Sequence, residues 1–185
     1  TGFWLARERA YREALEAKQP RAEEESWLRE LPLRDMINWG WIRGATSRVQ
    51  QLSACLDFFD VPDVRAWRAQ YRDLLKQVAF RTSPTYSSAP ASVAAWLRRG
   101  EVEAAAAECG DWDGRKFEHT LQLIRPLTRK RNPSEFLPEL REKCAACGVG
   151  VVIARAPTGC RASGATRFLS QKRALLMLSF RYLSD

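Results

Sequence analysis

Residues 149–178, VGVVIARAPTGCRASGATRFLSQKRALLML, decide the fold, because hydrophobic periodicity changes there. VGVVIA, residues 149–154, is short, β-branched and continuously apolar, the pattern of a strand buried on both faces. GATRFL and ALLMLSF are two further strands, and the polar SQKR between them reads as the turn of a hairpin. Everything upstream has helical spacing. A chain that is helical first and β last is an α+β protein, here mainly α: an amphipathic helical region followed by a small sheet.

Working back from the strands, Phe136, Leu137, Leu140, Cys144 and Cys147 form a stripe that starts at Pro133 and that Gly148 ends. RKRNP, 129–133, breaks the chain before it. Phe117, Leu121 and Ile124 mark an earlier helix, and Val93–Leu97 and Val102–Glu108 two more. TSPTYSSAPAS, 82–92, is linker-like, since Ser, Thr and Pro compete with regular backbone pairing. Ahead of it, Val64, Trp67, Tyr71, Leu74, Leu75 and Val78 make a stripe on a helix beginning near Pro62. Val49, Leu52, Leu56 and Phe59 make another, opened by Ser47 and Gln50 in a capping-box pattern. The acidic AEEESW leads into a short helix at LRDMINWG that Gly40 can close, and Phe3, Trp4, Tyr11 and Leu15 open the chain at 3-4-7 spacing.

The chain has 185 residues and is 45% hydrophobic, ample for a buried core. No stretch has the roughly 18–20 consecutive apolar residues of a membrane span, and the charged N-terminus is unlike a signal peptide, so the expected location is the cytoplasm, with no membrane partner. Thr1 in place of Met is expected of a segment inside a longer gene product. Thirty basic and 22 acidic residues give a net charge of +8, concentrated in 61–100 and 141–185. The arginines are dispersed without a basic block, which reads as a solvated basic surface rather than a nucleic-acid motif. Five cysteines, an odd number without a secretory signal, read as reduced thiols.

The candidate chemical motifs are incomplete. Cys144 and Cys147 form a C-x-x-C suited to a redox pair or half a zinc site, but both fall on the helical stripe and no second C-x-x-C exists; they read as core. Glu118-His119 resembles the end of H-x-x-E-H, yet Arg115 stands where the first histidine belongs, so His119 reads as a solvent-exposed side chain. There is no G-x-S-x-G and no Gly-rich phosphate loop, and one histidine leaves no triad. Trp39 and Trp41 around Gly40 are either an aromatic ledge or helix-pinning side chains.

Residues 127–185, above all GCRASGATRFLS followed by ALLMLSFRYLSD, resemble the region before the zinc-binding helix in the ImmA/IrrE metallopeptidase family. The resemblance is to the long type fused to an Xre-like helix-turn-helix and grouped with HigA-type antitoxins. FWLARERAYREALEA resembles the end of that helix-turn-helix domain and the helix after it. The resemblance implies three regions: 1–20, the helix following a helix-turn-helix; 21–126, a helical connecting or sensor region; and 127–185, the first part of a zincin-like domain.

It further implies that the strand ALLMLSF is followed by an H-E-x-x-H helix beyond Asp185, so no catalytic residue and no metal ligand carries over onto this chain, and zinc belongs to the parent protein. DNA is the implied partner through a helix-turn-helix ahead of Thr1, with a toxin or repressor protein and a homodimer as further partners. The implied function is that of the central region of a stress- or toxin–antitoxin-linked transcription regulator. The alternative is a zinc endopeptidase that cleaves a repressor or antitoxin, and a free-standing helical interaction module is a third. Zincin-like peptidases hold a peptide along a sheet edge, and Ser163, Gly164, Ala165, Thr166, Arg167 and Phe168 are the candidate peptide-binding edge, with Arg167 facing an acidic side chain. The other reading is an ordinary hairpin whose Phe168 and Leu169 pack.

Overall fold

The computed structural model describes residues 20–44, 46–77, 79–82, 89–130 and 132–179. The expectations for Phe3, Trp4, Tyr11 and Leu15, for Val78, for the middle of the linker-like stretch at 83–88 and for the last residues from Phe180 lie outside them. The chain divides into two compact units between Tyr71 and Arg72.

In the first unit, α1 (Ala22–Glu30), α2 (Leu33–Asn38), α3 (Arg48–Phe59) and the start of α4 (Val64–Gln77) bury their apolar stripes together. The acidic run AEEESW is itself the start of a helix. Glu23, Glu24 and Glu25 occupy the first turn of α1, where carboxylates oppose the positive end of the helix dipole, and the Glu24 carboxylate accepts the Arg21 N–H at 2.6 Å. Gly40, at φ +67°, follows α2 in the left-handed conformation. Ser47 caps α3 by accepting the Gln50 N–H at 3.2 Å, and Asp63 caps α4 by accepting the Ala66 N–H at 2.8 Å, so this helix begins at Val64, just after Pro62. The inward face of α3 centres on Cys55 and Phe59, and Val49 is 41% exposed.

Trp27, Phe59, Trp67 and Tyr71 pack at ring separations of 5.1–5.9 Å, mostly edge to face, the geometry favoured by aromatic quadrupoles. Trp41 stacks on Phe58 of α3 and meets Trp39 edge-on, which makes these tryptophans pinning side chains.

The second unit is an α+β assembly around a four-stranded sheet in the order β1 (Ala79–Thr82), β3 (Ala162–Ser170), β4 (Arg173–Leu178), β2 (Val149–Ile153). β3 is antiparallel to β1 and to β4, and β2 runs parallel to β4. The hairpin read in the sequence forms with Gln171 and Lys172 as its turn.

One face of the sheet carries α5 (Pro90–Ala106), a single helix where the sequence suggested two. Its alanines let it approach closely, and a Cβ at Gly100 would stand 2.4 Å from Met177 Sδ, so a larger residue there obliges that flexible side chain to shift. The Trp96 indole N–H donates to the Ala154 carbonyl at 3.1 Å, and Ser92 Oγ donates to the Thr158 carbonyl at 2.7 Å, tying the loop after β2 to this helix. The opposite face carries α6 (Gly114–Ile124) and α7 (Pro133–Ala145), which pack Phe117, Ile124, Leu140 and Cys144 on Val149, Val151, Ala174 and Leu176. On α6 the buried position is Thr120, and Leu121 is 45% exposed. α5 and α6, assigned from the resemblance to a connecting region, therefore share a compact unit with the sheet.

Arg173 of β4 donates to the carbonyls of Ala104 and Ala107, each at 3.2 Å, at the C-terminal end of α5. A guanidinium there supplies donors to carbonyls at the helix end, of which Ala104 O otherwise accepts only the Ala107 N–H at 3.4 Å among the described residues, and opposes the negative end of the dipole. Arg173→Ala is expected to lower stability by roughly 1–2 kcal/mol, read as the change in urea midpoint at constant slope. An unchanged midpoint would show that these carbonyls are satisfied equally well by water.

Candidate functional site

A half-open groove lies on the α6 side of the sheet, between α6 and the β3–β4 hairpin. It has a volume of about 540 Å³ and is lined by Trp112, Phe117, Val149, Thr166, Phe168 and Leu176 among others. The loop before α6 builds its wall. Gly110 N–H donates to Ala145 O at 2.9 Å, Trp112 N–H to Lys172 O at 2.8 Å and Asp113 N–H to Cys147 O at 3.2 Å, so three hydrogen bonds hold this loop to the end of α7 and to the hairpin turn. The Trp112 ring then stands 5.4 Å from Phe117 and 5.2 Å from Phe168. Phe168 is 57% exposed, the most exposed of the large apolar side chains described.

The six residues read as a peptide-binding edge, Ser163, Gly164, Ala165, Thr166, Arg167 and Phe168, are all on β3, and β3 is an interior strand. Over Gly164–Thr166 it is paired with β4 on one side and β1 on the other. The edge reading is corrected on that point. The outer backbone positions of Gly164 and Thr166 already have Arg81 and Ala79 opposite them. Only the end of β3 from Arg167 to Ser170 runs past β1.

Arg167 is likewise engaged within the chain, in a short ion pair with Glu101 of α5, whose carboxylate also meets Arg98 at 3.2 Å. Its charge is offset by the protein's own carboxylate.

His119 is solvent-exposed on α6, as its place off the apolar stripe suggested. Cys144 and Cys147 are fully buried, in agreement with the core reading. Cys147 Sγ lies 3.2 Å from Thr120 Oγ1 and 3.5 Å from the Lys143 carbonyl. Desolvation pushes the Cys144 thiol up to about 11, with smaller contributions from Cys147 and Cys109, and pushes the Cys55 thiol up to about 12. Thiols held neutral in this way are poor nucleophiles and poor metal ligands. Among the described residues no group of three or more His, Cys, Asp or Glu side chains is placed to hold a metal ion.

The raised thiols predict a pH dependence. In the unfolded chain these groups ionise near 9, whereas in the folded chain Cys55 keeps its proton to about 12. Between those values the folded state binds more protons, so stability falls as pH rises. At pH 11 Cys55 alone is expected to account for roughly 3 kcal/mol. Melts from pH 8 to 11 should show this decline, and Cys55→Val should lessen it. An equal decline in that variant would assign the alkaline loss to other groups.

The sequence reading missed β1 as the outer neighbour of β3, and Trp112 and Phe117 as lining of one groove. The β1 signal was present in AFRT, which pairs aromatic and β-branched residues before a Ser/Pro stretch. The packing of Trp112 on Phe168 had no sequence signal. No helix among the described residues is long and apolar enough to cross a membrane. Protein-family models, curated proteins and solved structures show no match to this chain.

Proposed function

We propose that the chain is the central region of a HigA-like, Xre-type transcription regulator, in which a helical region couples a DNA-binding domain to an ImmA/IrrE-like sensor or peptidase domain. The observation that supports this reading most is the half-open apolar face of the sheet beside the β3–β4 hairpin. The hairpin is the part of the sequence that carries the resemblance. On the face bearing Thr166, Phe168 and Leu176, the groove beside Trp112 has room for further apolar packing. In the family a helix follows the strand that corresponds to β4, and the apolar lining at Val149 and Leu176 suits the apolar face of an amphipathic helix. On this reading the chain contributes the sheet and the helices that carry it, and the hydrolytic step belongs to the zinc-binding helix of the parent.

The second reading, a working endopeptidase, differs only in whether the zinc-binding helix of the parent is intact. Both are tested on the product of the whole reading frame. One zinc per molecule together with cleavage of a repressor or antitoxin supports the enzyme. Operator-selective DNA binding at physiological salt without cleavage supports the regulator. Neither zinc, cleavage nor operator binding would overturn the proposal. The 185-residue chain alone is expected to bind DNA weakly, without sequence preference and with steep loss on adding salt.

A further inference from the structure

The outer edge of β3 is a strand site on which this chain has seated four residues of its own. Ser179 N–H donates to the Ser163 carbonyl at 3.0 Å. In an antiparallel ladder the backbone groups of successive residues point to opposite sides, so Ser163, Ala165 and Arg167 address β4, while Gly164, Thr166 and Phe168 address the outer side. β1 meets that outer side with Ala79 opposite Thr166 and Arg81 opposite Gly164, and its pairing is irregular between Arg81 and Thr82.

Continuing the register would bring Gln77 to Phe168, but Gln77 is the last residue of helix α4. No residue of β1 stands opposite Phe168, which is left with outward backbone groups and an exposed ring beside Trp112. β1 is four residues long against nine for β3 and, among the described residues, has no other strand as a neighbour.

From this we infer that β1 is an exchangeable strand that competes with an extended peptide for the edge of β3. The favoured peptide is at least six residues long and carries an apolar side chain opposite Phe168. Such a peptide repeats the bonds β1 makes, adds a pair at Phe168 and covers that ring against Trp112. The tethered strand competes at an effective concentration in the millimolar range, so it masks the site from weak peptides and yields to strong ones. The inference rests on the proposed peptidase or sensor reading for its purpose, and on the strand pairing alone for its mechanism.

The test uses the 185-residue chain and two synthetic peptides, LKQVAFRT, which copies residues 75–82, and the same peptide with Gln77→Leu. Arg81→Pro removes the N–H that faces Gly164 and weakens β1 without touching β3. A folded Arg81→Pro chain is expected to bind the first peptide at least tenfold more tightly than the unaltered chain, and the leucine peptide severalfold more tightly again. Equal affinities in the two folded chains, or no binding by either, would overturn the inference.

Should Arg81→Pro not fold, Ala79→Cys with Thr166→Cys gives a reversible lock. The oxidised chain is expected to bind neither peptide and to recover on reduction, and binding indifferent to oxidation would also overturn the inference. Zinc content and cleavage by the whole gene product are read separately, so a failed exchange leaves the functional proposal standing. A successful exchange in a zinc-free, inactive product leaves the strand site standing without the peptidase.

Discussion

Gly148→Ala is expected to cost about 4 kcal/mol or more, enough to unfold much of the second unit at ordinary temperature. Gly148 closes α7 at φ +78°, a conformation that costs an L-residue roughly 1–2 kcal/mol. The larger obstacle is steric. A Cβ there would sit 2.3 Å from Trp112 N and 2.5 Å from Trp112 Cα, and backbone cannot rotate away as a side chain can. To admit the methyl group, the loop that makes the hydrogen bonds from Gly110, Trp112 and Asp113 would have to leave α7 and the hairpin turn. Urea unfolding of the variant measures the loss, and hydrogen exchange locates it. A cost near 1 kcal/mol would mean that the loop is not pinned against Gly148.

Trp96→Ala is expected to cost roughly 3–5 kcal/mol, and the comparison with two tryptophan-to-phenylalanine changes separates packing from hydrogen bonding. Trp96 is fully buried on α5, and its indole N–H satisfies the Ala154 carbonyl just past β2. Phenylalanine keeps most of the apolar volume but orphans that carbonyl, a cost of about 1–3 kcal/mol. Trp27 is equally buried in the first unit, but its indole N–H has no partner among the described residues. Trp27→Phe therefore removes an unsatisfied donor along with some volume and should cost less than Trp96→Phe. Chemical denaturation of the three variants checks the order. Equal costs for the two phenylalanine variants would show that the Ala154 bond adds nothing beyond packing.

The alkaline loss predicted from Cys55 follows from the same burial that made both C-x-x-C thiols core residues. Cys144 and Cys147 could be read as core from their helical spacing, and His119 as exposed from its place off the stripe, because each depends on which face of one helix a residue occupies. Cys55 was legible in the same way beside Leu52, Leu56 and Phe59.

By itself the sequence determined that three strands follow the last helix, through the change from 3.6-residue to strand-like patterning at Val149, but not that β1 precedes α5, α6 and α7. It also determined the β3–β4 hairpin, the stop at Gly148 and the cap at Ser47, since each rests on a few adjacent residues and local backbone chemistry. Only the tertiary structure decided that Ser163–Phe168 lie inside the sheet. Whether a strand is an edge depends on what pairs with it, and the segment that pairs with β3 lies some eighty residues earlier, with α5, α6 and α7 intervening. The partner of Arg167 was hidden for the same reason, since Glu101 reaches it only after α5 packs across the sheet. Long-range pairing leaves no periodic trace in either segment, so the packed chain alone shows which backbone groups are already taken.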